Sequence, residues 1–399
     1  MEELFSKSVE ELNLFCKFTE DEMKILENAD KAAEEIYPSE YEHYLKREFN
    51  GEAPGILAKY GLLGIPISKE YGGLGLGCFE YCLITEELAR AWMSVASIIA
   101  RGNGVIGMRA MSEEQRRNYL PRMARGEFVG AVAISEPSAG SDVAAISCRA
   151  RRDGESWLIT GNKYWCTFAD GADFIVLMAR TSDSPDPRHR HHGISCFMIE
   201  KRRGELPPGC QGSPIPKIGY FGMKTYELAF DNCRVPASAL VGEEGQGFLL
   251  TAKEMEKARA HTAARAIGCA RGGLEDALAY ARERVQFGHP IADFQGIRFK
   301  LAQMATEVEA ARQLLYHVCD QVDRGARCDK EASMVKYFAS EMAERVTSDA
   351  LQVLGGAGYT THHAVERYWR DARLTKIFEG TSEIQLRIIS DRLLGPVAT

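Results

Sequence analysis

The sequence predicts an α+β protein in three parts: an N-terminal helical domain over residues 1–128, a middle antiparallel β-domain over 129–240, and a C-terminal helical bundle over 241–399. Two observations carry this reading. The spacing of apolar residues is helical, then short-period, then helical again. No long helical segment interrupts the short-period stretch, so it reads as an antiparallel sheet or barrel rather than as a Rossmann unit.

In the first part, Thr19 precedes the acidic first turn of TEDEMKILENADKAAEEIY, a helix-start signal. FEYCLITEELARAWMSVASIIA is long and largely apolar and reads as a buried helix, with PISKEYGGLGLG as the glycine-rich connection before it. In the second part, SWLIT (156–160), KYWCTF (163–168), DFIVLMAR (173–180), GISCFMIEK (193–201) and YELAFDNCRV (226–235) are rich in β-branched and aromatic residues, and turn clusters separate them. In the third, Ile297, Leu301, Met304, Val308, Ala311, Leu315, Val318 and Val322 recur at steps of four and three. That stripe suits the core of a helix bundle.

With 399 residues, 45% of them hydrophobic, the chain is long enough for two or three cooperating domains around a large core. Its net charge of −7 argues against a nucleic-acid partner, which calls for a basic face. No apolar run reaches the roughly 20 residues that cross a bilayer, so no membrane insertion is expected. The acidic start MEELFSKSVEEL lacks the pattern of a signal peptide, which points to the cytoplasm. The 11 cysteines are scattered without metal-ligand spacing and read as free thiols. His189, Arg190, His191 and His192 follow a turn-rich polar stretch and read as a solvated loop, so no metal site is expected.

Four segments can carry chemistry. AISEPSAGSD (133–142) combines small residues, hydroxyls and a proline, and such a loop brings amides and Ser135 close to a flat polar ligand. KYWCTF then supplies Trp165, a large planar face, and Thr167, a hydroxyl donor. RVQFGHPIADFQ (284–295) joins two helices and carries Arg284, whose donor fork suits a diphosphate, with Phe287 and Gln295 suited to an adenine. In IFEGTSEIQ (377–385), Glu379 adjoins Gly380, and Thr381 or Ser382 can cap the helix that follows. A Glu before a helix start is most often solvated or complements the helix dipole, but one flanked by Ile377 and Phe378 can also become a base in an apolar pocket. The glycine strings GGLGLG (72–77) and CARGG (269–273) do not join a strand to a helix and suit turns and close packing better than phosphate binding.

Taken in order, EYGGLGL, SEEQRRNYLPRMARGE, SEPSAGSD, ITGNKYWCT, GEEGQGF, ERVQFGHPI, QVLGGAGY and FEGTSEIQ resemble the acyl-CoA dehydrogenase family over nearly the whole chain. The resemblance implies FAD between the β-domain and the C-terminal bundle, a homotetramer, and electron transfer to an electron-transferring flavoprotein. It implies that Glu379 abstracts the substrate α-proton. By position, Ser135, Trp165 and Thr167 fall on the isoalloxazine side. Arg284, Phe287 and Gln295 fall on a neighbouring subunit's FAD, with Gln352, Gly355 and Gly356 at the same end and Thr381 and Glu383 nearby. Ser141, Glu256, Arg259 and Gly380 match contacts to the CoA thioester. The base position that some members use instead is Ala258 here, which cannot act as one. Phe378, Ser135 and Phe168 depart from the residues common in the family, where Tyr, Thr and Asn or Ser stand.

ARAHTAARAIG (258–268), IGYFGMKTYELAF (218–230) and ARQLLYHVCDQVDRGARCDKEA (311–332) are similar to methylsuccinyl-CoA and benzylsuccinyl-CoA dehydrogenases, which implies a 2-substituted succinyl-CoA. Its second carboxylate needs a buried cation, for which Arg101, Arg259, His261 and Arg265 are candidates. Arg101 follows the apolar SVASIIA and calls for an anionic partner, either the substrate or a protein carboxylate. Alternatives are a short, branched or alicyclic monocarboxylic acyl-CoA, a flavin-dependent oxidase or monooxygenase, and a non-catalytic member of the fold.

Overall fold

A computed structural model describes residues 18–103, 108–186 and 189–396. Thr19 caps helix α1 (Glu20–Lys46) reciprocally: its hydroxyl accepts from the Glu22 amide at 3.2 Å, and its amide donates to the Glu22 carboxylate at 2.5 Å. After the short α2 (Ala53–Lys59), the long apolar stretch divides into α3 (Cys78–Ala91) and α4 (Met93–Asn103), which corrects the single helix expected there. Trp92 makes the break. Its backbone is extended (φ −148°, ψ 111°), and its indole is buried against Tyr37, Tyr44 and the Arg367 guanidinium, which lies 3.4 Å from the ring centre. Burying that ring in an aromatic and cationic pocket outweighs the propensity to continue the helix. Helix α5 (Glu113–Ala124) leads into the β-domain.

Strands β1 (Gly130–Ala133), β2 (Arg149–Asp153), β3 (Ser156–Thr167), β4 (Phe174–Arg180), β5 (Ile194–Glu200), β6 (Cys210–Pro214), β7 (Thr225–Pro236) and β8 (Leu240–Val241) form one sheet. Its order is β6-β7-β3-β2-β4-β5-β8, with β1 beside β4. Most pairings are antiparallel, but β1 and a single position of β2 run parallel to β4, so the sheet is mixed where a purely antiparallel one was expected. A parallel pair needs a long crossover, and segment 134–173, with its loop and the β2–β3 hairpin, supplies it. SWLIT and KYWCTF are one strand, β3, whose register shifts between Ile159 and Gly161 and again between Lys163 and Cys166.

The bundle contains α6 (Gly247–Glu283), α7 (Gln295–Asp323), α8 (Asp329–Leu354), α9 (Val365–Thr375) and α10 (Ser382–Leu394). Leu301, Met304, Val308, Ala311, Leu315 and Val318 of the α7 stripe are buried, with Ile297 and Val322 partly so. Helix α6 packs against α3, α7, α8 and α9. Its approach to α3 depends on two glycines: a Cβ on Gly268 would lie 2.4 Å from the Glu86 carbonyl oxygen, and one on Gly272 would lie 2.4 Å from that of Arg90. Of the earlier glycine strings, Gly77 leaves room for the Asp323 carboxylate, which accepts from the amides of Cys78 (2.6 Å) and Phe79 (3.0 Å) and so fastens the start of α3 to the end of α7.

A buried ionic cluster joins α1, α3, α6 and α7. Arg90 pairs with Asp30, Glu87 and Glu275 at 2.8, 2.6 and 3.0 Å; Arg271 pairs with Glu86, Glu87 and Glu275 at 3.3, 2.7 and 2.9 Å. Arg312 adds Glu86 at 2.7 Å and Glu309 at 3.0 Å. Burial, reinforced by the neighbouring Glu87, raises the Asp30 carboxyl, and the Arg90 and Arg271 charges oppose that shift.

Candidate active site

Glu379 lies in the turn between α9 and α10 with a left-handed backbone, φ 55°. A non-glycine residue takes that conformation only when its surroundings hold it there. Several contacts do. Lys336 of α8 donates to the Gly380 carbonyl at 2.6 Å, Gln385 donates to the same oxygen at 2.9 Å, and the Thr381 hydroxyl accepts from the Ile384 amide at the start of α10. Trp165 (φ 63°), Phe168 (φ 73°) and Phe287 (φ 54°) are also left-handed, so the strained positions include Glu379, Trp165 and Phe287, three of the residues expected to serve the reaction.

Both Glu379 carboxylate oxygens are engaged. Oε1 accepts from Arg265 Nη2 at 2.5 Å, and Oε2 accepts from the Thr262 hydroxyl at 2.5 Å. Arg265 also donates through Nη1 to Ser97 Oγ at 3.1 Å and through Nη2 to Thr262 Oγ1 at 3.2 Å, and its guanidinium lies 4.5 Å from the centre of the Phe378 ring. The Glu379 side chain is 33% exposed and that of Arg265 is 3% exposed, so the carboxylate is the outer member of the pair. The Glu379 charge raises Arg265 against the desolvation that opposes its protonation. Thr262 was not expected at the site. It stands three residues from both Arg259 and Arg265, on one face of α6, and that spacing was available in the sequence.

The surroundings are cationic. Arg259 is buried, and its Nε has no hydrogen-bond partner among the described residues. Arg101 is half-buried, donates to the Gly130 carbonyl at 3.3 Å and lies over the Phe168 ring. Neither arginine forms an ion pair among the described residues. His261 is buried against Tyr81, and burial together with Arg265 and Lys257 holds its pKa well below the ordinary value, so it is neutral. Burial lowers Lys336 to about 8. An unfolded lysine titrates near about 10.4, so between these values the unfolded chain binds more protons and stability rises with pH. Relative to Lys336→Met, the wild type should gain stability between about pH 8 and about pH 10.4; equal urea midpoint shifts in both proteins would contradict this.

On the cofactor side, the Glu136 carboxylate forms a buried ion pair with Lys163 at 2.9 Å and accepts from the amides of Ser147 and Cys148. This fixes the loop that carries Ser135, whose carbonyl accepts from the Tyr164 amide at 2.8 Å, next to Trp165. Trp165 is 55% exposed, and the Thr167 hydroxyl lies 3.0 Å from that of Thr225. A pinned loop beside an open indole face fits a flavin ring.

Arg284, Phe287 and Gln295 are exposed on and after a small hairpin, with Phe287 92% exposed, and Gln352, Gly355 and Gly356 are exposed at the end of α8. No hydrogen bond among the described residues joins these two groups to Ser135, Trp165 or Thr167. Glu383 is exposed in the first turn of α10 and Ser141 is exposed on its loop. Glu256 is engaged by the Cys328 amide at 3.3 Å. Ala258 lies one turn before Thr262 on α6 and has no side-chain base to offer. Cys78, Cys82 and Cys319 bring their buried sulfurs within 4.8 Å of one another, a grouping that their separation in the chain concealed.

Comparison with known proteins identifies the family. Models for the N-terminal, middle and C-terminal domains of acyl-CoA dehydrogenase match residues 19–127, 131–233 and 245–394. An acyl-CoA dehydrogenase of Bacillus subtilis is 41% identical over 370 residues, covering 92% of this chain and 96% of that one. A (2S)-methylsuccinyl-CoA dehydrogenase of Cereibacter sphaeroides is 40% identical over 347 residues, covering 85% of this chain and 63% of that one. The structure of butyryl-CoA dehydrogenase from Megasphaera elsdenii superposes with a TM-score of 0.88 at 32% identity, covering 94% and 99% of the two chains.

Proposed function

Because the chain belongs to the acyl-CoA dehydrogenase family of FAD-dependent oxidoreductases acting on CH–CH groups, we infer that its substrate is a 2-substituted succinyl-CoA, with benzylsuccinyl-CoA preferred to methylsuccinyl-CoA. The observation that carries this choice is the charge around Glu379. Arg101, Arg259, Arg265 and Lys336 lie on the elements that form the site, and among the described residues only Arg265 holds a carboxylate at ion-pair distance, that of the base itself. Buried or half-buried cations without counter-ions are costly, and a thioester with a free carboxylate supplies the missing charge.

In this mechanism Glu379 takes the α-proton onto a carboxylate oxygen. The Glu379 backbone amide polarises the thioester carbonyl, which acidifies that proton. Arg259 and Gly380 orient the thioester, together with Glu256 and Ser141. Bound FAD would supply the acceptor for the β-hydrogen, lost as hydride, and the product would be the 2,3-enoyl-CoA. Ser135, Trp165 and Thr167 hold the flavin ring. Arg284, Phe287 and Gln295 reach the FAD of a second subunit, with Gln352, Gly355, Gly356, Thr381 and Glu383 at that end. The 92% exposure of Phe287 supports this: so open an aromatic side chain calls for a cover, and a homotetramer provides one. Electrons then pass to an electron-transferring flavoprotein in the cytoplasm. No helix among the described residues is long and apolar enough to cross a membrane.

Stopped-flow flavin bleaching with benzylsuccinyl-, methylsuccinyl-, isobutyryl-, cyclohexanecarbonyl- and butyryl-CoA tests the assignment. The two succinyl thioesters should reduce the flavin fastest. Rapid reduction by the monocarboxylic thioesters alone would reject it.

A further inference from the structure

We propose that the Arg265–Glu379 ion pair is a lock that the free carboxylate of the substrate opens by taking the place of Glu379 on Arg265; this rests on the succinyl-type substrate inferred above. Glu379 has no idle oxygen, since one accepts from Arg265 and the other from Thr262, each at 2.5 Å. With a donor held against each oxygen, neither is free to approach the substrate α-carbon. To receive the α-proton the carboxylate must leave at least one of these donors.

Leaving is opposed by Arg265. Its side chain is 3% exposed, its ion pair is with Glu379, and its Nε is buried without a partner. Removing Glu379 strands that cation, a state that buried charges strongly resist. A monocarboxylic thioester offers nothing in exchange. A succinyl thioester does, and its covalent structure sets where. The free carboxylate is attached to the β-carbon, adjacent to the carbon that loses the proton. Whatever cation binds it therefore stands beside the base. Arg265 meets that requirement by direct contact, while Arg101 is bonded to the Gly130 carbonyl.

The exchange conserves charge: one carboxylate leaves the guanidinium as another arrives, and the freed Glu379 turns to the α-carbon and takes up its proton. Glu379 is the more exposed of the pair, 33% against 3%, so an arriving ligand meets the base first. Ser97 and Thr262 keep the guanidinium in place during the exchange, through contacts at 3.1 and 3.2 Å. Substrate selection and base activation thus become one event, and the selectivity should be large, on the order of 100-fold, as expected from stranding a buried charge.

The test compares benzylsuccinyl-CoA with its methyl ester, which keeps the shape and removes the charge. FAD-loaded wild type and the Arg265→Gln and Arg265→Lys variants are used. Wild-type flavin reduction should be about 100-fold faster with the acid than with the ester. Arg265→Gln should slow the acid and also accelerate the ester above its wild-type rate, because the base is no longer held, and Arg265→Lys should retain preference for the acid. Calorimetry with the unsaturated product thioesters, which cannot reduce the flavin, should show Arg265→Gln weakening the acid product and sparing the ester product. A merely structural arginine would slow both substrates alike, and that result overturns the lock. If wild type prefers the acid and Arg265→Gln keeps that preference, the lock falls and the substrate assignment stands. If wild type prefers the ester, both fall.

Discussion

Glu379→Gln should retain FAD and bind thioester while flavin bleaching slows by roughly 10²–10⁴-fold, the usual worth of a positioned general base. Glutamine keeps the length of the side chain, and its amide oxygen still accepts from Arg265 or Thr262, so the turn at φ 55° should survive. What it cannot do is hold the α-proton. On α6 the alternative base position, one turn before Thr262, is Ala258, which has no carboxylate. Stopped-flow absorbance of the flavin after mixing with thioester gives the rate, and calorimetry gives the binding. A variant that bleaches within tenfold of wild type would remove Glu379 from the mechanism.

The largest loss of stability should come from Arg271→Met. Arg271 is buried and touches Glu86, Glu87 and Glu275, which belong to α3 and α6. Its burial would by itself lower its proton affinity, and the three carboxylates reverse that. Among the described residues, removing it leaves Glu87, fully buried, with only Arg90 as a cation, and Glu86 with only Arg312. Breaking a buried ionic group from one side costs about 3–5 kcal/mol, and urea unfolding should read a loss of that size. Replacing the acids as well, with Glu86→Gln and Glu87→Gln added to Arg271→Met, should recover much of it, because no charge then remains stranded. If the single substitution costs under 1 kcal/mol, as surface pairs do, the cluster is not the structural junction described above.

Local rules carried much of the fold. Thr19 and Glu22 cap α1 as the spacing of a hydroxyl and an acid foretold, and the α7 stripe from Ile297 to Val322 faces the core. Where tertiary contacts overrode propensity, the sequence was silent. Trp92 broke an apolar run because of Tyr37, Tyr44 and Arg367, the last of these 275 positions away by numbering. Strand β2, RARRD, has no apolar face to detect and exists because it pairs with β3. The site divides in the same way. Glu379 was singled out by its ordered flanking motifs, whereas Thr262, in register with Arg259 and Arg265, went unremarked. The pairing of Arg265 with Glu379 joins residues 114 positions apart, and nothing local announces it.

Helix α6 carries Arg259, Thr262 and Arg265 at the site, then Gly268 and Gly272 where α3 presses close, then Arg271 and Glu275 in the ionic cluster, and ends at the Arg284 hairpin. It acts as a ruler about 55 Å long, on which every functional mark is fixed by the marks on either side. Lengthening it by a single residue between Thr262 and Gly268 would rotate everything beyond by roughly 100° and put the glycines, the arginine and the hairpin out of register together. New acyl specificities can therefore arise along this helix by exchange of side chains, while insertions and deletions are confined to the loops at its two ends.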